Sequence, residues 1–247
     1  MKKVLLLSAT LLVLAVPAMA GGINFAWGSG CWWDNPVSLK MFACDTNSGS
    51  AAFTGSFATS HDFLTFAGMV AVVDLQTDAT TLPAWWDLYN GGACRQASLF
   101  SSADFTAAPG GCVDPWLGQA QGGIAAYQTA AYPPPLPLNA PAANRARLKV
   151  AYVLTEPALV VSGIEYYAFR GTMNFLKTVG TPSCEGCLVP ATLVLNQIEP
   201  RNLVGYPELI SNPIANTCLS WQAAGSTPCG AVPSRNQTWG QVKTLYR

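Results

Sequence analysis

The sequence predicts an all-β protein, a disulfide-stabilised β-sandwich of jelly-roll type forming a single domain, with a short C-terminal helix. Three observations point there. Short segments of alternating apolar and polar residues recur between turn clusters. The 22 glycines and 18 prolines interrupt long helices, at about 1 and 3 kcal/mol per residue respectively. Eight cysteines are available to staple two sheets. Half of the 247 residues are hydrophobic and only 11% are charged, a composition opposite to that of a disordered chain.

Residues 1–20 have the parts of a secretory signal. Lys2 and Lys3 form the charged start, residues 4–16 the apolar stretch, and Ala18-Met19-Ala20 the small-residue cleavage site. The mature domain is then residues 21–247, secreted to the periplasm or the exterior. Gly21 stands where a lipid anchor would need a cysteine, and no second apolar run is long enough for a transmembrane segment. Losing two lysines from 13 basic and 13 acidic side chains leaves about two net negative charges. The group Arg145, Arg147 and Lys149 is too small a basic footprint for nucleic acid.

Strands are expected at 23–27, 38–43, 69–76, 146–154, 164–178 and 191–198. In 146–154, Leu148, Val150, Tyr152 and Leu154 share one face while Arg147, Lys149 and Ala151 share the other, the period of a sheet wetted on one side. In 164–178 the spacing puts Tyr167, Phe169, Met173 and Phe175 on one face, with a bend or bulge at Gly171. The proline stretch 132–137 has no ladder donors and belongs outside a central strand, as a linker or as an extended ligand for an aromatic groove. At the end, Thr238 and Gln241 suit a capping box, and Trp239, Val242, Leu245 and Tyr246 follow helical spacing.

Cysteines paired in chain order would give Cys31–Cys44, Cys94–Cys112, Cys184–Cys187 and Cys218–Cys229, the preferred set among 105 connectivities. Cys184-Glu185-Gly186-Cys187 has the spacing of redox and zinc sites. Its flanking Thr181-Pro182 and Val189-Pro190 favour a turn and a structural disulfide, so neither a metal nor a cofactor is expected.

Catalytic signatures are weak. His61 is the sole histidine and sits among Thr59, Ser60 and Asp62, as a polar loop residue would; no Gly-x-Ser-x-Gly elbow occurs. Thirteen carboxylates leave a glycan hydrolase open without nominating a pair. The segment Asp45-Thr46-Asn47-Ser48-Gly49-Ser50 departs from a calcium loop in its glycine position and closing residue, and reads as an Asx turn. Asn236-Gln237-Thr238 matches a glycosylation sequon by chance.

The strongest functional lead is a repeated triplet, Trp32-Trp33-Asp34 after Cys31 and Trp85-Trp86-Asp87 after Ala84. Neighbours on an extended segment point to opposite sides. One indole of each doublet is therefore expected at the surface, as a platform for a glycan or an extracellular protein. The alternative is that the tryptophans cover the ends of the sandwich while Asp34 and Asp87 accept turn hydrogen bonds.

From Ile164-Glu165-Tyr166-Tyr167-Ala168-Phe169 through the Cys184–Cys187 segment to Trp221-Gln222 and Thr238-Trp239-Gly240-Gln241, the chain resembles a group of secreted hypothetical proteins from environmental bacteria. Cys44-Asp45-Thr46-Asn47 and Pro83-Ala84-Trp85-Trp86 share the likeness. It implies secretion and a single domain, and it transfers no site residue. The expected function is a non-enzymatic extracellular binding or surface protein, with a carboxylate-dependent glycan hydrolase and a subunit polymerising through a sheet edge as alternatives.

Overall fold

A computed structural model describes residues 21–34, 36–131, 141–205 and 208–222. The proposed signal, the proline stretch, Cys229, the sequon and the C-terminal helix lie outside the described residues. Within them the chain is all-β with no helix. Ten strands run in order: β1 (Gly22–Trp27), β2 (Leu39–Lys40), β3 (Ser50–Ala58), β4 (Phe63–Thr77), β5 (Leu99–Ser102), β6 (Ala120–Thr129), β7 (Arg145–Val160), β8 (Tyr166–Asn174), β9 (Ala191–Asn202) and β10 (Cys218–Trp221). They form a four-stranded sheet, β1-β3-β8-β5, and a six-stranded sheet, β2-β10-β9-β4-β7-β6. Every pairing is antiparallel except β2 with β10.

The sheets close on one apolar core. Phe25, Phe53, Phe57, Phe169 and Met173 come from the first sheet, and Val73, Leu75, Leu148, Val150, Leu193 and Leu195 from the second. The alternation expected in β7 is present, with Leu148, Val150 and Tyr152 buried. On its wetted face Arg147 holds Asp74 through two bonds of 2.6 and 2.7 Å. On the core side, Ser101 of β5 and Tyr152 of β7 bring their hydroxyls within 2.7 Å and tie the two sheets together.

In β8 the expected single face holds for Phe169 and Met173 but not for Tyr167. The register against β3 slips between Gly55 and Ser56, so that Gly55 pairs with Phe169 while Ser56 pairs with Tyr167. Ala168 is the extra residue, and one extra residue reverses the side on which Tyr167 emerges. Gly171 is not the bulge: it lies in regular pairing opposite Phe53, where a Cβ would collide with the phenyl ring. Gly55 and Phe169 repeat the arrangement, since a Cβ on Gly55 would meet that ring at 2.6 Å. Each phenyl ring thus lies over its own cross-strand glycine.

The pairing of cysteines in chain order is overturned for Cys31, Cys44, Cys94, Cys112, Cys184 and Cys187, while the expected Cys218–Cys229 reaches outside the described residues. The bridges are Cys31–Cys112, Cys44–Cys187 and Cys94–Cys184, spanning 81, 143 and 90 residues. Cys218 is also disulfide-bonded. Cys184 and Cys187 bond to different loops instead of each other, because the turn between them is held over Trp85, whose N–H donates to the Glu185 carbonyl at 2.8 Å. That segment is a clamp between the loops carrying Cys44 and Cys94. Three bridges are compatible with an oxidising compartment, and no described helix is long and apolar enough to cross a membrane.

Candidate functional site

The first Trp-Trp-Asp triplet forms a tight turn directly after β1. Asp34 closes it from both ends: its N–H donates to the Cys31 carbonyl at 3.0 Å, and its Oδ2 accepts the Cys31 N–H at 3.1 Å. The Tyr167 hydroxyl, on the side to which the β8 bulge turned it, reaches the same Oδ2 at 3.1 Å and also the Gly110 carbonyl. Burial, and then the bond to and charge of Asp34, push the Tyr167 phenol up to about 12. The Cys31–Cys112 bridge fixes the turn from beneath. A Cβ on Gly111 would strike the Asp34 carboxylate, and its φ of +80° suits glycine.

This support leaves Trp33 63% exposed and Trp32 partly exposed. The chain then runs along the margin of the sandwich, where Val37 bridges to Trp27 and β2 forms the edge of the larger sheet. Val37, Leu39 and Met41 are 47, 42 and 57% exposed. The intervening Phe42 turns inward and stacks on Phe175 at 3.9 Å. Trp33, Val37, Leu39 and Met41 therefore make one segment unusually rich in exposed apolar side chains.

The second triplet does not match. Trp85 and Trp86 are both fully buried, because Ala84, Trp85 and Trp86 lie in a turn rather than an extended segment, and alternation does not apply there. Their rings meet edge to face at 4.8 Å, and Trp85 stacks on Trp221 at 5.1 Å. Trp85 Nε1 donates to Thr178 Oγ1 at 3.0 Å. Asp87 accepts the Tyr89 N–H at 3.3 Å, and burial raises its carboxyl above the ordinary value. These residues cover the end of the core.

Sequence reasoning missed Arg95, a fully buried guanidinium. It lies 3.8 Å above the Trp85 ring and donates Nη1–H to the Trp85 carbonyl at 2.7 Å, Nε–H to Leu176 at 3.2 Å, and Nη2–H to Asn174. Burial pulls it down to about 10. A lone arginine beside an ordinary cysteine carries no pattern that would announce this. Glu165 was likewise not singled out as locked: Asn24 donates to its Oε1 at 2.9 Å and Ser56 donates to the same oxygen.

His61 lies in the loop between β3 and β4. Ser60 Oγ is 3.2 Å and Glu208 Oε2 3.6 Å from the same ring nitrogen, Nδ1. A relay needs nucleophile and carboxylate on opposite nitrogens, so this cluster does not form one. In the calcium-like segment, Asn47 Oδ1 accepts the N–H groups of Thr178 and Val179 at 2.8 and 3.0 Å, and Thr46 Oγ1 accepts that of Ser48. Its oxygens serve as turn acceptors. The surface of the described residues also carries a groove of about 500 Å³ around Gln96, Ser98 and Lys177, and one of about 350 Å³ between the 113–119 loop and β7, lined by Asp114, Glu156, Leu117 and Leu159.

Comparison with known proteins adds no kinship: no protein-family model and no curated protein matches the chain.

Proposed function

We propose that this chain is a secreted, non-catalytic binding component of an extracellular surface, contacting a glycan or a surface protein through Trp33 and the neighbouring Val37, Leu39 and Met41. The observation that carries the reading is an indole 63% exposed on a turn pinned by a disulfide and by both ends of Asp34. A turn held still before contact loses little backbone freedom on binding. Its flat face suits the C–H side of a sugar ring, and its amphipathic edge suits a protein contact. The function rests on Trp33 with Trp32 and Asp34 as its support; Trp85, Trp86 and Asp87 belong to the core.

The test is binding of the folded protein to a glycan array and to extracellular matrix fractions, wild type against Trp33→Ala and Leu39→Ser. Trp33→Ala is expected to weaken capture at least about tenfold, as loss of an aromatic anchor does, while stability changes by no more than about 0.5 kcal/mol. Unchanged capture by both variants would remove the strip from the function.

A second reading has one observation in its favour. Asp114 and Glu156 line the same 350 Å³ groove, and a pair of carboxylates facing a substrate is the requirement for glycoside hydrolysis. Asp114 accepts the Trp116 N–H at 2.9 Å, so Glu156 would carry the proton chemistry. Release of reducing sugar from polysaccharides by the wild type, lost in Glu156→Gln, would establish this reading over the first.

A further inference from the structure

The order in which the cysteines are linked has a consequence for how the protein is made. Among the first six cysteines in the chain, no two consecutive ones are partners: Cys31 skips Cys44 and Cys94 to reach Cys112, Cys44 crosses that bridge to reach Cys187, and Cys94 crosses it to reach Cys184. In an unfolded chain the short loops close first. Cys31 with Cys44 closes about 13 residues against 81 for the native bridge, and Cys94 with Cys112 about 18 against 90. The three-halves power of these ratios favours the wrong bridges roughly 10- to 15-fold. Emergence of the chain from its amino terminus increases the bias, because Cys44 is present long before Cys112, and Cys112 long before Cys184.

Every short bridge among these six also consumes a cysteine that a native bridge needs. Local mispairing cannot persist beside the native set. We infer that this chain is an obligate client of a thiol–disulfide isomerase, a dithiol catalyst that breaks non-native bridges, and not merely of an oxidase that makes them.

An oxidase in its disulfide form takes two electrons and two protons for each of the bridges Cys31–Cys44 and Cys94–Cys112. The isomerase thiolate attacks Cys44 Sγ, the bond to Cys31 breaks, and Cys31 leaves as a thiolate. Cys187, as thiolate, then attacks the mixed disulfide at Cys44, forming Cys44–Cys187 and returning the catalyst's thiolate. Cys31 attacks Cys112 through the same mixed-disulfide route, forming Cys31–Cys112 and freeing Cys94. One last oxidation joins Cys94 to Cys184. The exchanges move no net electrons.

The packing indicates when this must happen. Each native bridge has one buried member, Cys31, Cys187 or Cys184, and one half-buried member, Cys112, Cys44 or Cys94. Attack from outside is therefore directed at Cys44, Cys94 and Cys112, and becomes slow once Trp85, Trp86 and Trp221 close over the Cys184–Cys187 turn. A misbridged chain that compacts early hides the sulfurs that must exchange.

The experiment starts from the reduced, denatured full-length protein. It is refolded with a chemical thiol oxidant alone, with the oxidant plus a catalytic amount of a dithiol isomerase, and with the oxidant plus the same isomerase carrying serines in place of its active-site cysteines. Bridges are read over time by mass spectrometry of unreduced peptides, with cleavage after Glu185 separating Cys184 from Cys187. Oxidant alone is expected to give mainly Cys31–Cys44 and Cys94–Cys112, and the active isomerase to raise the native three at least about tenfold. Native bridging to completion with oxidant alone would overturn the inference. Equal rescue by the serine variant would overturn it too, since that would show protection from aggregation rather than exchange.

Discussion

At the scale of single residues, the structure turns on side chains whose value lies in a fixed partner. Arg95 links three carbonyls from two separate segments, those of Trp85 on one side and Asn174 and Leu176 at the end of β8 on the other. Only a planar fork can span them. Arg95→Lys keeps a buried charge but leaves acceptors unpaired, and is expected to lower stability by about 2–3 kcal/mol, read as a shift in the denaturant midpoint with the slope unchanged. Gly171 fails for a different reason. Gly171→Ala places a methyl group against the Phe53 ring, which is walled in by Phe25, Trp27 and Phe169, and should cost about 1–3 kcal/mol as overpacking.

At the scale of elements, the loops between strands are as constrained as the strands themselves. Joining Cys31 to Cys112 closes 81 residues, and in the chain-entropy model its removal as Cys31→Ser with Cys112→Ser costs about 4 kcal/mol. The same double variant is expected to quench less and broaden the emission of Trp32 and Trp33, because the turn keeps only its Asp34 bonds; a thermal melt with tryptophan fluorescence reads both. How far such elements could be read in advance depended on side-chain chemistry. β1, β4, β7, β8 and β9 announce themselves through β-branched and aromatic alternation, although β4 and β7 run well past the expected limits. β3, with the sequence SAAFTGSFA, and β6, with AQGGIAAYQT, were not expected. Ala, Gly and Ser have low strand propensity, and here pairing on both sides of β3 and packing of Tyr127 in β6 decide the matter. Of the expected strand at 38–43 only Leu39–Lys40 is paired. The site was half legible for a related reason: alternation describes strands, and the turn at Trp85-Trp86 obeys a different geometry that lets both rings point inward.

At the scale of the whole molecule, burial of ionisable groups sets how the fold responds to alkali. Tyr127, Tyr152 and Tyr167 all hold their protons above the ordinary tyrosine value, chiefly through burial, with the charge of Asp87 adding at Tyr127 and the bond to Asp34 adding at Tyr167. A phenol raised on folding contributes stability that is complete below its unfolded value of about 10 and is lost as pH climbs through the folded value, because the unfolded chain releases its proton first. Arg95 has the opposite sign. Its folded value is lowered to about 10 from 12.5, so between those limits the unfolded chain binds more protons and this group's contribution rises with pH. Three phenols outweigh one guanidinium, and net stability is expected to fall from about pH 10 upward. Denaturant midpoints measured from pH 8 to 12, together with tyrosinate absorbance, check this: some of the eight tyrosines should ionise only as the protein unfolds. Tyr127→Phe, which strands the Trp86 carbonyl that the hydroxyl serves at 2.6 Å, should be less stable at pH 8 yet lose stability less steeply above pH 10. If every tyrosine titrated near 10 in the folded state, the inner faces of the two sheets would have to admit water where Tyr127 and Tyr152 now close them, and the sandwich would owe its cohesion to the bridges more than to its core.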